Sequence, residues 1–374
     1  MRDPGPDAAG GVHLTREEIL SLRREVDRID AEIIRLIARR AEATSEIGLT
    51  KKKDKLKVRD AEREKQVLDH ASELAQSLGL DPTRVTELFK QMISESARAQ
   101  RAVKTGDLAG KSALVVGGSG RMGRWACRLL SNRGATVKAF DSRGEVVGYE
   151  TVPNIADHAK KADIVVIASP LGAVPNDLKA VLDCGPDGLV FDVCSVKSHI
   201  AGLLREANVR GIRIASIHPM FGPSAPSPRG RTVLVCDFGS DDASKETYNL
   251  FSSWGARTIM IELDEHDRLM AYVLGLSHLS SLMFAGSARR SGEKVSGLRE
   301  VQGPTFEKLA TLSREVVGES RRVYHDIQFL NPNTRQMIAA MEEAFKELRS
   351  ASLDPNPKAF AKLIDADREY LEAE

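Results

Sequence analysis

Val115-Val116-Gly117-Gly118-Ser119-Gly120-Arg121-Met122-Gly123 is the stretch on which the fold turns. An apolar run ends in glycines and then gives way to residues that suit a helix. Gly118, Gly120 and Gly123 form a G-x-G-x-x-G pattern. Such glycines permit a tight turn, close backbone approach to a pyrophosphate and close packing of helix on strand. A helix opening there offers its N-terminal donors to phosphate. Ser119, Arg121 and Met122 join the glycines as candidate dinucleotide contacts. Alone the pattern is weak, because glycine-rich turns occur in α/β proteins that bind no nucleotide. The context strengthens it. The next apolar run ends in Asp141, 18 residues past Gly123, where a carboxylate can bind ribose hydroxyls. Asp141 favours NAD over NADP, since it repels a 2′-phosphate; Arg143 nearby leaves that choice open.

Working outward, candidate strands recur at Ala113–Val116, Thr136–Phe140, Asp163–Ala168, Gly188–Val193 and Arg213–Ile217, with helical stretches between them. This alternation implies a parallel, doubly wound sheet. Ser169 and Pro170, just past the third run, count with the cofactor contacts. Another strand, Thr232–Cys236, follows a Pro-rich loop at 219–230, and from about Asp264 the chain reads as mostly helix.

Upstream of the loop, residues 15 to 103 read as all helix. Thr15 and Glu18 form a capping-box pattern, and Ile19, Leu22, Val26, Ile29, Ile33, Leu36 and Ile37 recur with helical period. A second helix is expected near Asp60 and a third at Asp81-Pro82, an N-cap followed by proline. A first helix from about 16 to 50 spans roughly 50 Å. Two short helices cannot cover so long a stripe, so a homodimer is expected.

A length of 374 residues favours two or more domains. Charged residues make up 29%, yet the net charge is +1, which argues against a general nucleic-acid binder and against an extended disordered chain. Lys51, Lys52, Lys53, Lys55, Lys57 and Arg59 form the one basic run. Without interleaved aromatics it reads as a solvated turn with one or two functional cations rather than a nucleic-acid patch. The four cysteines, Cys127, Cys184, Cys194 and Cys236, form no CxxC pair and no zinc-spaced cluster. Free thiols in a reducing cytoplasm, and no metal, are the expectation. The first 13 residues lack the apolar core of a signal peptide. No stretch approaches the roughly 20 apolar residues of a bilayer span. A cytoplasmic protein without a membrane partner is therefore expected.

Two further segments carry a resemblance. Asp192-Val193-Cys194-Ser195-Val196-Lys197 and Ser216-Ile217-His218-Pro219-Met220-Phe221-Gly222-Pro223 each end a candidate strand, where doubly wound sheets place ligands. Both resemble the prephenate dehydrogenase family, over roughly residues 112 to 345. The resemblance implies that His218 is the catalytic base, accepting a ring hydroxyl proton as hydride leaves for the nicotinamide. Loss of the ring carboxylate as CO2 then yields 4-hydroxyphenylpyruvate. It also implies that Ser195 hydrogen-bonds near that histidine and hydroxyl. His278 matches a histidine of the substrate or effector pocket, with a packed helix histidine as the other reading. His266-Asp267 matches a family pattern, with a capping role as the other reading. An ungapped match from Gly303-Pro304 puts Glu315 where the family has a carboxylate-binding arginine. Arg314 beside it is the candidate to serve instead, and prephenate against arogenate stays open.

Residues 15 to 101 resemble the all-helical chorismate mutase family. Chorismate rearranges without covalent help, so the enzyme must hold its compact conformer and stabilise charge on the ether oxygen. Arg23, Arg40, Lys51, Asp60, Arg63, Glu64, Ser96 and Gln100 fall at the family's active-site positions without a gap. By those roles Arg23, Arg40 and Arg63 contact carboxylates, and Lys51 and Gln100 donate near the ether oxygen. Glu64 and Asp60 lie near the substrate hydroxyl or its cation partners, and Ser96 supplements carboxylate binding. Helix geometry agrees in part: Arg40 and Lys51, eleven residues apart, share a face, as do Ser96 and Gln100. Arg23 lies about 100° away from Arg40 around the helix, as a residue serving the partner's site would.

The expected architecture is thus a multidomain α and α/β chain. A disordered N-terminus (1–14) precedes a helical chorismate mutase domain (15–104), a linker (105–111), an NAD-binding Rossmann-type domain (112–263), and an all-helical domain (264–374) for substrate binding and dimerisation. The expected function is bifunctional: chorismate to prephenate, then NAD-dependent oxidation of prephenate, with tyrosine as a feedback inhibitor by resemblance. The alternatives are an arogenate dehydrogenase fused to the mutase, a dehydrogenase with a non-catalytic helical module, and another NAD(P)-dependent reductase of small metabolites.

Overall fold

The computed structural model describes residues 15–53, 61–101, 106–318 and 320–373. Contacts divide the chain into two units, 1–105 and 106–374.

Among its described residues the first unit holds three helices: α1 (Arg16–Lys53), α2 (Ala61–Ser77) and α3 (Pro82–Arg101). Their starts follow from the capping residues. Glu18 N donates to the Thr15 hydroxyl at 3.2 Å while Thr15 N donates to the Glu18 carboxylate at 2.6 Å, a reciprocal capping box. Asp81 Oδ1 accepts from Thr83 N at 2.9 Å at the head of α3. Asp60, the expected cap of α2, lies outside the described residues. With 38 residues α1 is about 57 Å long, against 17 residues in α2 and 20 in α3. Both α1 and α2 pack on α3. The seven stripe residues Ile19, Leu22, Val26, Ile29, Ile33, Leu36 and Ile37 nonetheless stay 40–54% exposed.

The second unit opens with β1 (Ser112–Val116), α4 (Arg121–Asn132), β2 (Thr136–Phe140), β3 (Glu150–Thr151), α5 (Ala156–Ala159) and β4 (Ile164–Ile167). It continues with α6 (Val174–Asp183), β5 (Leu189–Asp192), α7 (Ala201–Val209), β6 (Ile214–Pro219), β7 (Thr232–Asp237), α8 (Asp241–Ser253) and β8 (Arg257–Glu262). The strands form one sheet in the order β3-β2-β1-β4-β5-β6-β7-β8. Its central strands are apolar and buried on both faces, as parallel strands covered by helices are. Val115 and Val166 point into a core with Trp125, Phe251 and Trp254. Val116 and Ile167 point into the opposite core with Leu178 and Leu204. One seam departs from the parallel expectation: β7 runs antiparallel to β6. The Pro-rich connection between them contains no helix, and a parallel return needs a long crossover that is usually helical.

Helices follow: α9 (Leu263–Met270), a π-helical turn (Ala271–Leu276), α10 (Ser277–Arg290), α11 (Val295–Glu300), α12 (Pro304–Gly318), α13 (Arg321–Leu330), α14 (Thr334–Leu353) and α15 (Lys358–Glu372). The stretch Leu263–Arg290 is long and apolar enough, by length and composition only, to cross a membrane. This departs from the expectation that no stretch of the sequence approaches the length of a bilayer span. Here the stretch carries a buried histidine and aspartate, His266 and Asp267, and Leu263 packs into the core with sheet residues. The expected boundary at 263/264 does not separate compact units, since 106–374 stays together.

The segment read as a linker, 105–111, also differs from expectation. From Gly106 it is docked on the second unit: Leu108 is buried and its N–H donates to Arg133 O at 2.9 Å, and Asp107 accepts from Trp254 Nε1 at 2.6 Å. A Cβ on Gly106 would sit 1.8 Å from Arg133 O, so only glycine fits there. All four cysteines are free; Cys127, Cys194 and Cys236 are buried and Cys184 is half-buried.

Candidate active sites

In the sheet order, β1 is flanked by β2 and β4, so the chain reverses direction at the β1–β4 seam. Ligands of open α/β sheets bind outside the strand ends at such a point. Two loops meet there. Gly117 has φ +84°, and a Cβ on it would lie 2.6 Å from Ser169 N, so the glycine loop and the Ser169-Pro170 loop touch. A Cβ on Gly123 would lie 2.0 Å from Gly117 O and one on Gly118 2.8 Å from Ala139 Cβ. These glycines are therefore fixed by packing, and they leave α4 opening at Arg121 directly behind the loop.

Asp141, at the end of β2, is 8% exposed and lines an open cleft of about 520 Å³ with Phe140, Ser142, Gly144, Thr151 and Pro153. Burial works to raise its carboxyl, but hydrogen bonds from Arg143 and Ser119 outweigh this and hold it at about 2. The carboxylate is fully engaged: Oδ1 accepts from Arg143 N and Nε at 3.0 and 3.1 Å, and Oδ2 accepts from Ser119 N and the Ser119 hydroxyl. An ionised carboxylate behind a glycine cradle fits a nucleotide ribose. The ribose hydroxyls would take the place of the Ser119 hydroxyl or the Arg143 guanidinium, and Arg143 is 65% exposed and able to swing away.

At the other end of the crevice, β6 delivers His218 and β5 delivers Asp192. His218 is 4% exposed. Burial, with His266 and Lys197 beside it, pushes its imidazole well below the ordinary value, so it is a neutral base. Its Nδ1 lies 3.0 Å from Nε2 of His266, whose own Nδ1 lies 2.7 Å from Oδ1 of Asp267. Burial acts to raise the Asp267 carboxyl too, but hydrogen bonds from His266 and Ser198 prevail and hold it at about 2. Lys197, fully buried, donates through Nζ to Asp192 at 2.6 Å and to Ile217 O at 2.7 Å, tying the ends of β5 and β6 together beside His218. Ser195 is half-buried just past β5. The hydrogen-bonding partner of the His218 ring in this structure is His266. The pair His266-Asp267 was legible as a family pattern, but its partner was not. His266 sits within α9, whose N-cap is Glu262, and Asp267 receives the N–H groups of Lys197 and Ser198.

His278, on α10, packs edge-to-face on Tyr324 with ring centroids 4.2 Å apart, and burial lowers its imidazole to about 4. Its Nδ1 is buried without a partner. Arg314 lines a cleft of about 370 Å³ with Arg289, Arg299, Phe284 and Phe306, between α10 and α12. That lining includes neither His218 nor the glycine loop. Another arginine, Arg322 on α13, not named from the sequence, brings Nη2 within 3.5 Å of where a Cβ on Gly172 would be, beside the loop that follows Ser169-Pro170. Its only sequence signal is the spacing of four to Asp326, with which it pairs at 3.6 Å.

In the first unit Arg40, half-buried on α1, donates to Met92 O on α3 at 3.3 Å. Met92 is one turn before Ser96 and two before Gln100 on α3. Arg63 and Glu64 stand in the first turn of α2, and Arg63 donates to Gln66 at 3.1 Å. The side chains of Lys51, Ser96 and Gln100 and the whole of Asp60 lie outside what is described. Arg23 is exposed and 17 residues before Arg40, about 26 Å along the same helix. Within one chain those two arginines cannot hold one small substrate.

Comparisons with known proteins divide in the same way. Residues 22–101 match the model of chorismate mutase type II, and residues 135–260 match that of the prephenate dehydrogenase nucleotide-binding domain. The T-protein of Enterobacter agglomerans is 25% identical over 333 residues, 88% of this chain and 87% of its own length. A "probable arogenate/prephenate dehydrogenase" of Methanocaldococcus jannaschii is 26% identical over 271 residues, and the chain spans 61% of that relative's length. Among solved structures, prephenate dehydrogenase from A. aeolicus, in complex with hydroxyphenyl propionate and NAD+, superposes with TM-score 0.54 at 19% identity, covering 71% of this chain and 100% of that one.

Proposed function

We propose that this chain, a bifunctional chorismate mutase and prephenate dehydrogenase, rearranges chorismate to prephenate in its first unit and oxidises prephenate with NAD in its second. The observation that carries the second activity is His218: a buried neutral imidazole at the end of β6, on the same strand-end face of the sheet as the glycine loop. The glycine cradle and Asp141 would hold the dinucleotide, which supplies a hydride acceptor. His218 takes the hydroxyl proton of the ring as the carbonyl forms. The ring carboxylate then leaves as CO2, its bonding electrons aromatise the ring, and His218 returns the proton to the phenol oxygen. No net proton is released.

For the mutase, Arg40 with Lys51, Ser96 and Gln100 would hold the dicarboxylate and its ether oxygen, with Arg63, Glu64 and Asp60 at the edge. Arg23 would come from a second copy, which the exposed α1 stripe favours. His278 and Tyr324 form an aromatic wall suited to a ring substrate or to tyrosine as feedback inhibitor. The cytoplasm is the proposed location, in keeping with four unbridged cysteines.

The test is one assay: purified protein, chorismate as sole substrate, NAD present. NADH formation means both sites work in sequence. NADH only from prephenate makes the first unit a scaffold, and NADH only from arogenate shifts the substrate to the amine.

A further inference from the structure

We infer that His266 and Asp267 are positioning residues that fix the tautomer of His218, leaving Nε2 of His218 as the proton acceptor. This rests on the dehydrogenase reading of the second unit and deepens it. A carboxylate can only accept, so Asp267 Oδ1, 2.7 Å away, takes a hydrogen from His266 Nδ1. A neutral imidazole carries a single N–H, so His266 Nε2 presents a lone pair. His218 Nδ1, 3.0 Å from that lone pair, must then be the donor. Its one hydrogen is thereby placed, and Nε2 is bare.

The arrangement is held from several sides. His266 is 0% exposed and Asp267 2%. The Asp267 carboxylate is pinned by Lys197 N at 2.9 Å, by Ser198 N at 2.7 Å and by the Ser198 hydroxyl, and its backbone oxygen receives Asn331 Nδ2 at 2.7 Å. The reverse tautomer would set a histidine lone pair against a buried carboxylate. Charge around His218 comes from Asp267 on α9 and from the Lys197 ammonium, itself paired with Asp192, while His266 between them is neutral. When His218 takes the substrate proton on Nε2, the Nδ1–H toward His266 strengthens, and Asp267 offsets the positive charge until the proton returns to the phenol oxygen. No electrons pass through the relay, and the hydride goes to the nicotinamide.

Two substitutions separate tautomer control from mere packing. His266→Leu leaves Nδ1 of His218 without an acceptor. His266→Gln can accept from it through Oε1 and so keep the tautomer. The expected result is a kcat loss of about 10²–10⁴ for His266→Leu, with KM for prephenate and NAD nearly unchanged. His266→Gln should recover at least tenfold of that loss. The acid limb of the kcat/KM pH profile should move in both. Mutase activity of the same chain and NAD binding report folding. In wild-type protein, ¹⁵N spectra of the imidazoles should show Nδ1 of His218 protonated and Nε2 bare, assigned by the signals lost in His218→Asn. Wild-type kcat and pH profile in His266→Leu, or a protonated Nε2 in the wild-type spectrum, overturn the inference. If His266→Leu also loses NAD binding, the glutamine variant decides: recovery supports the relay, and a kcat as low as that of His218→Asn with NAD still bound overturns it. A wild-type enzyme that does not reduce NAD with prephenate, or His218→Asn at full activity, instead removes the dehydrogenase reading beneath it.

Discussion

His218 and His266 are both buried and both held below the ordinary imidazole range, chiefly by burial. The unfolded chain titrates near 6.5, so between that value and the folded one it binds more protons than the folded chain. Stability therefore falls as pH drops below about 6.5, by up to about 1.4 kcal/mol per pH unit for each histidine. Thermal unfolding followed from about pH 7 to 5 should show the transition of the second unit moving down while mutase-unit signals move less; a flat midpoint would contradict this. Arg322 carries a second expectation. Its Nη2 lies beside Gly172; if a substrate carboxylate binds there, Arg322→Ala raises KM for prephenate about tenfold or more, as loss of a charge-assisted bond of 1.5–3 kcal/mol does, and leaves KM for NAD alone, whereas an unchanged KM for prephenate removes Arg322 from the site. Arg314→Ala producing that effect instead would assign the carboxylate contact to Arg314, the arginine expected from the sequence. The motif around His218 was legible because it is local. Its partner lies 48 residues away and is met only when α9 docks beside the end of β6. Arg322 was hidden for the same reason: proximity to Gly172 is made by folding, and nothing in the spacing announces it.

Elements were legible where burial is complete. The central strands stood out as short apolar runs, since both faces are covered and most of their residues are apolar, with Asp192 and His218 at the strand ends. β3 has two residues, and β8 lies at the sheet edge with Arg257, Ile259 and Met260 exposed, so neither has that signature. Helix starts were legible because capping chemistry is local. Asp81 supplies a measurable case. Removing its side chain in Asp81→Ala should cost about 0.5–2 kcal/mol of first-unit stability, read by urea denaturation, while dehydrogenase rates stay unchanged. A loss shared equally by both activities would mean the cap matters beyond α3.

For the whole molecule, the extent of α1 is the governing quantity. Its stripe is uncovered in one chain, and Arg23 and Arg40 stand about 26 Å apart along it. A site completed by two copies predicts complementation. Chains carrying Arg23→Ala or Lys51→Ala should each lose mutase activity, and their co-expressed mixture should regain about a quarter of the wild-type rate, because half the dimers are mixed and each mixed dimer has one intact site. No recovery would confine the site to a single chain. The doubly wound sheet and the flanking helices were legible from alternation. That the second unit begins at Gly106 was not, because the docking of Leu108 and Asp107 onto Arg133 and Trp254 depends on residues far along the chain.

The cysteines have a practical consequence. Burial pushes the thiols of Cys127 and Cys236 up to about 12, raises Cys194 well above its usual value and raises Cys184 as well. A thiol titrating at about 12 is ionised in about one molecule in 10⁵ at neutral pH, and only the thiolate is nucleophilic. Alkylating labels and mild oxidants thus meet a nearly silent background from the three buried thiols, which leaves the partly exposed Cys184 as the native thiol they can reach. With Cys184 replaced by serine, a cysteine introduced on the outer face of α1 would be the one fast-reacting thiol in the chain, ready to carry a fluorophore or spin label without removal of the three buried ones.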